Sequence, residues 1–198
     1  QFDPKLTVMQ NIERKIFAKG QFLYEEAEVL LRQELREPAN YFNILKAIAA
    51  GRSSFGEIVG FTSLDKTIVS KYLDNLITLR IVEKEFPITQ KKETRNARYK
   101  LTDNYFSFWF RFVYPNRTLL EEGKLDLLLK AMADDFRQHV SFVFERVCRD
   151  VLVEEVSKGY AKKGRWWEKD KEIDVVAFNE QSQEILFGEC KWREKVNA

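Results

Sequence analysis

Histidine is almost missing from this chain: His139 is the single one among 198 residues. It has no Cys or His companion at ligand spacing, so it reads as a packed or solvated side chain rather than a metal ligand. Cysteine is nearly as scarce. Cys148 and Cys190 each lie in an apolar segment, the pattern of reduced, buried thiols in a cytosolic protein rather than of a disulfide framework. No apolar run reaches the length of a membrane span and no signal peptide is visible, which argues against a membrane partner and for a cytoplasmic location. Neither sign of charge dominates: 33 Lys and Arg against 31 Asp and Glu leave +2, so any anionic partner must be drawn by local patches. There is no G-x-x-x-x-G-K-[ST] run, so this chain alone is not expected to hydrolyse ATP. Internal repeats and low-complexity tracts are lacking as well. Without an initiator Met, and with the sequence stopping seven residues after Lys191, both ends read as cuts in a longer protein.

What is present suffices for a core. The chain is 44% hydrophobic and 14% aromatic, and its length fits one large domain or two small ones. Residues 5–35 read as two helices, the second with apolar residues at Phe22, Leu23, Ala27, Leu30 and Leu31 and closed by Pro38. YFNILKAIAAG (41–51) is a short amphipathic helix ended by Gly51. Ser54 and Glu57 form a capping-box pattern that opens another. A third runs from about Ser63 to Arg80 on the stripe Leu64, Ile68, Tyr72, Leu73, Leu76 and Leu79. IVEKEFPI (81–88) and ARYKLTD (97–103) then read as strands around the basic tip QKKETRN. Three helices and a hairpin make the winged helix-turn-helix order, with the third helix as reader and the hairpin as wing.

YFSFWFRFVY (105–114) holds seven aromatics in ten positions. Such density could stack bases but more often packs a core or a domain boundary. Residues from about Leu125 to Val156 are helical, followed by three strand-like pieces at 164–167, 172–178 and 185–192. The resulting fold class is α+β: a winged-helix domain (39–104) after a helical remnant (1–38), then an aromatic hinge (105–124) and an incomplete α/β domain (125–198).

The last strand, ILFGECKW, places Glu189 and Lys191 two residues apart in an apolar run. In a strand these would project together. They are either a surface ion pair or one wall of a site. EIDVVAF sets Asp174 in a strand apolar on both faces, the mark of a strand covered on both sides, so Asp174, Glu189 and Lys191 are expected on one hairpin, away from bulk water. Converging carboxylates suit a hard cation such as Mg²⁺, with the Cys190 carbonyl as a further oxygen donor. Lys191 would orient the attacking water or steady a phosphate in flight. Glu145, on the apolar face of the long helix, is either snorkelling or a fourth ligand.

The order helix-Glu145, Asp174 in an apolar strand, then Glu189-Cys190-Lys191 resembles the PD-(D/E)XK nuclease superfamily. That resemblance implies metal binding by Asp174 and Glu189, and by Glu145 less directly, with catalysis by Asp174, Glu189 and Lys191. The superfamily adds further helix and strands after the Lys strand, where this sequence ends. Across essentially all 198 residues, FLYEEAEVLL, EPANYFNILKAIAAG, VSKYLDNL, DNYFSFWFRFVYPN and EIDVVA…GECKW resemble the C-terminal half of a group of archaeal P-loop ATPases. The resemblance implies an ATP-binding half absent from this chain, with residues 1–38 as the tail of its lid.

DNA contact is expected from Lys66, Thr67, Ser70 and Lys71 on the third helix, with Asn75 beside them, and from the wing cations Lys91, Lys92, Arg95, Arg98 and Lys100. A second basic strip at 158–171 precedes the candidate acids. Three functions are carried forward: a Mg²⁺-dependent deoxyribonuclease region of an ATPase, a non-catalytic DNA-binding module, and a protein-contact module.

Overall fold

Local sequence sets most of the helix boundaries. The computed structural model describes residues 2–89, 96–152, 160, 162–179 and 181–192. In chain order the helices α1 (Val8–Ile12), α2 (Phe22–Glu34), α3 (Pro38–Ala49), α4 (Phe55–Thr62) and α5 (Lys66–Thr78) precede the strands β1 (Val82–Glu85) and β2 (Arg98–Leu101). Then come α6 (Asn104–Phe108), α7 (Arg117–Glu121), α8 (Leu125–Val147), β3 (Lys162–Glu168), β4 (Lys171–Asn179) and β5 (Glu184–Gly188). Wider π-type turns continue α1, α6 and α8 over Glu13–Phe17, Trp109–Val113 and Cys148–Leu152. The chain is a mixed α+β protein, and its described helices include none long and apolar enough to cross a membrane.

It divides into two compact units: residues 1–83 with 99–133, and residues 84–98 with 134–198. The chain passes from one to the other within the two-stranded sheet of β1 and β2.

In the first unit, Ser54 accepts from the Glu57 amide while the Glu57 carboxylate accepts from the Ser54 amide, the reciprocal box that starts α4. Asp65 accepts from the Thr67 N–H at 2.7 Å, so α5 begins at Lys66 rather than near Ser63. Pro38, expected to close α2, stands in the first turn of α3 instead, where its fixed φ suits a helix start and its missing N–H costs nothing. The Gly51 turn after α3 has φ +86, a conformation other residues seldom adopt.

The aromatic segment forms the centre of this unit. Trp109, Phe110 and Phe112 are essentially inaccessible, as are Phe42, Leu45, Ile58, Leu73 and Leu76. Trp109 donates its ring N–H to the Tyr24 carbonyl at 2.8 Å, and Phe42 meets Trp109, Phe110 and Tyr114 edge-on. Each such side chain contributes roughly 1.5–3 kcal/mol by burial. That is why α3, α4 and α5 can be short and still stay in place.

The second unit is built on the antiparallel sheet β3-β4-β5. Val175, Val176 and Ala177 are consecutive and all buried, so the middle of β4 is covered on both faces. The described residues 84–89 and 96–98, on either side of the tip read as a wing from the sequence, belong to this unit. Ile88 donates its N–H to the Arg165 carbonyl at 2.8 Å, and Trp167 donates its ring N–H to the Asn96 carbonyl at 3.0 Å. Gly164 is open enough for Ile88 to lie against it: a Cβ there would stand 3.4 Å from the Ile88 Cβ.

Candidate functional site

The acids singled out in the sequence lie in the second unit, on α8, β4 and the segment after β5. β5 ends at Gly188, short of the expected 192. Gly188 pairs with Val175, and a side chain there would bring a Cβ to 3.1 Å of the Val175 Cβ, so the approach is too close for any other residue to fit without a shift. Beyond it the ladder gives way. The Cys190 N–H donates to Asp174 Oδ2 at 2.9 Å, a side-chain contact in place of a strand pair.

Glu189 and Lys191 lie 3.0 Å apart, so they do project together. Their surroundings differ from the expectation, however. The Glu189 side chain is 68% exposed and that of Lys191 44%. Lying past the end of the ladder, they form a surface ion pair rather than the wall of a dry site. Asp174 is half-buried and does not share their exposure.

Glu145 is drawn inward instead. Its carboxyl stands 3.9 Å from the Arg165 guanidinium, and its side chain is 17% exposed. Burial pushes its pKa up, the charge of Asp174 adds to this, and Arg165 and Arg149 oppose it. Asp174 and Glu145 are therefore close enough to repel.

Arg165, a residue the sequence did not single out, organises the rest. Its guanidinium contacts Glu172 and lies 3.7 Å from Glu85, besides its approach to Glu145. Burial disfavours the charged form and lowers its pKa. One cation thus answers three carboxylates from three separate elements, a strong incentive for it to stay in place. Nothing in the local sequence around Arg165 signals this, because its partners are 7, 20 and 80 positions away.

Of the implied divalent cation, the described residues offer a poor fit. Among them no group of three or more His, Cys, Asp or Glu side chains is placed to hold a metal ion. Glu145 faces a guanidinium, one Asp174 oxygen is taken by an amide, and Glu189 is paired to Lys191.

Cys148 is buried and Cys190 partly so; both are free thiols. Burial, the hydrogen-bonding neighbour Cys148 and the charges of Asp174 and Glu145 push the Cys190 thiol up to about 12. A cleft of about 460 Å³ lies in this unit too, bounded by Ile88, Lys162, Phe178 and Ile185 among others, and holds none of these acids.

The candidate DNA-contacting residues separate into two groups. Lys66, Thr67, Ser70 and Lys71 are all exposed on α5, opposite its buried Val69, Leu73 and Leu76. Asn75 instead donates to the Tyr41 hydroxyl at 2.7 Å. Lys91, Lys92 and Arg95 lie outside the described residues. Arg98 is engaged within the second unit, 2.8 Å from Glu172 and 4.7 Å from the Trp167 ring centre, and Lys100 lies 3.5 Å from Glu83. His139, packed or solvated on the sequence reading, is buried.

Comparison with known proteins bears on this geometry in three ways. Residues 109–198 match the family DUF234, described as archaea bacterial proteins of unknown function. Over 195 residues the chain is 34% identical to the uncharacterized protein MJECL04 of Methanocaldococcus jannaschii, covering 96% of this chain and 44% of that protein. The chain therefore spans less than half of that relative's length. Among solved structures, a MarR family regulator from Neisseria meningitidis aligns at 21% identity over 69% of this chain and 89% of its own. Its TM-score of 0.31 is too low to carry an argument. The family match contains the whole acid cluster except Glu85, along with the aromatic core segment from Trp109 onward.

Proposed function

We propose that this chain is a DNA-contacting module of a larger protein, with α5 as the contacting helix. One observation carries the reading. In the order α3, α4, α5, β1, β2, the third helix buries Val69, Leu73 and Leu76 and leaves Lys66, Thr67, Ser70 and Lys71 open to solvent. Lysines there contact phosphates, which gives position and salt-dependent affinity, while Thr67 and Ser70 reach base edges or sugar. Coupling to an ATP-hydrolysing half elsewhere in the protein belongs to the same proposal, on the strength of the sequence resemblance.

Metal-dependent cleavage of DNA is the second reading. The observation that favours it is the proximity of Glu145 and Asp174: the charge of Asp174 adds to burial in raising the pKa of Glu145, as where carboxylates converge. Among the described residues, however, the donors do not assemble around one point.

The test uses the full-length protein with single- and double-stranded DNA at several salt concentrations, with and without Mg²⁺ or Mn²⁺. Salt-sensitive binding that weakens in a Lys66→Ala/Lys71→Ala double variant is the expected result, and its log–log salt slope should fall by about 2. Absence of binding at low salt sinks the proposal and leaves a protein-contact module. Metal-dependent cutting abolished by both Asp174→Ala and Lys191→Ala would establish the second reading.

A further inference from the structure

The segment after β5 lies along the end of the long helix through two successive contacts. Trp192 meets Phe144 with ring centres 5.2 Å apart. Phe144 stands four residues before Cys148, one helical turn away on the same face, and Trp192 stands two residues after Cys190, both beyond the end of β5. Cys148 and Cys190 are themselves neighbours, with their thiols in hydrogen-bonding reach. The Cys190 N–H bond to Asp174 holds that end of the segment against β4. Two free thiols are thus held in register by an aromatic contact on one side and a backbone hydrogen bond on the other.

We propose that Cys148 and Cys190 are an oxidisable pair that closes to an intrachain disulfide, stapling the segment after β5 to the turn that follows α8. The oxidant is a small-molecule disulfide such as oxidised glutathione. Cys190, the more accessible thiol, attacks one of its sulfurs, and one glutathione thiol leaves with the Cys190 proton. Cys148 then attacks the mixed disulfide at the Cys190 sulfur and the second glutathione thiol leaves with the other proton. Two S–H bonds are lost and one S–S bond is formed; the reagent disulfide takes up the two electrons. The exchange is slow, because the Cys190 thiol is held protonated. Once formed, the bridge closes a loop containing β3, β4 and β5, so it removes freedom from the unfolded chain and raises stability. It also fixes Asp174 and Glu145 relative to each other, whatever this site acts on.

The full chain, reduced and folded, is incubated with oxidised glutathione, quenched with an alkylating agent and digested with trypsin without reductant. Peptide Val147–Arg149 joined to peptide Glu172–Lys191 in the monomer is the expected product, with a rise in Tm of several degrees that reductant reverses. The Cys148→Ser variant should instead retain glutathione on Cys190 and show no rise in Tm. Should that variant fail to fold, Cys190→Ser under the same treatment gives the matching test, with no linked peptide and no stabilisation. Recovery of both cysteines alkylated, of two separate glutathione adducts, or of linked peptides only between two chains would overturn the proposal.

Discussion

Arg98 lies 2.8 Å from the Glu172 carboxylate, with its guanidinium 4.7 Å from the centre of the Trp167 ring. Both contacts sit in the second unit, although Arg98 opens β2, whose other residues belong to the first. A cation with a partner on one side and an aromatic face on the other is committed to packing before any phosphate arrives. Replacement of Arg98 by Ala should therefore destabilise the chain by about 1–2 kcal/mol, since the pair is only partly covered. DNA affinity measured where both proteins are fully folded should change less than it does for the α5 lysines. Urea titration beside fluorescence anisotropy separates the two effects. A large loss of DNA binding with unaltered stability would return Arg98 to the contacting surface.

The Ser54–Glu57 box makes a prediction about acid. Side-chain and backbone hydrogen bonds from Ser54 hold the Glu57 carboxyl below its ordinary value. A lowered folded pKa contributes stability that is present above the unfolded value, near 4.5, and is lost as pH falls through the folded one. Ser54→Ala should cost about 1 kcal/mol at neutral pH. That difference should shrink as pH falls through the lowered folded value, where Glu57 takes up its proton in the wild type as well. Denaturation curves at pH 7 and pH 3 measure it. An undiminished gap at pH 3 would assign the cost to the hydroxyl alone.

Such contacts were legible because they are local. Ser54 and Glu57 are three residues apart, and the apolar stripe read for α5 finds Leu73 and Leu76, although Ile68 and Leu79 are exposed and Val69, outside that stripe, is buried. The density of aromatics around Trp109 pointed to packing for the same reason: no other disposition of seven rings in ten residues is inexpensive. Arg165 could not be found this way. Its role depends on Glu85, Glu145 and Glu172 arriving from three elements, and only the folded chain brings them together. The end of β5 was hidden as well, because alternation continues through Glu189 and Lys191 while the ladder stops at Gly188. The apolar context of a charged pair told how the strand begins, not where it lets go.

Trp109 offers a test of the first unit. It is fully buried and donates to the Tyr24 carbonyl at 2.8 Å. Trp109→Phe keeps an aromatic ring but loses the donor and part of the volume, so the Tyr24 carbonyl loses its second partner and a small void opens beside it. The expected loss is about 2–4 kcal/mol. Hydrogen exchange should quicken in α2, whose residues Leu23 and Tyr24 receive the Tyr105 hydroxyl and the Trp109 N–H. Protection unaltered in α2, with the loss spread evenly over the chain, would show that the hydrogen bond has no local effect.

Glu145 separates the two readings of the acid cluster by its dependence on pH. Burial and the charge of Asp174 raise its pKa in the folded chain, against the opposing pull of Arg165 and Arg149. Below the ordinary carboxyl range the group is neutral whether the chain is folded or not, so wild type and Glu145→Gln should then be of similar stability. As pH rises, the unfolded chain ionises first while the folded one resists, and wild type loses stability relative to the variant until the folded pKa is passed. At pH 7 the Glu145→Gln protein should be the more stable by on the order of 1 kcal/mol, the size common for single substitutions. Mg²⁺ added to wild type should leave that difference intact if the acids serve only to hold Arg165. Selective stabilisation of wild type by Mg²⁺, absent in the variant, would mean that the cation displaces the guanidinium and recruits Glu145, which is the arrangement metal-dependent cleavage requires.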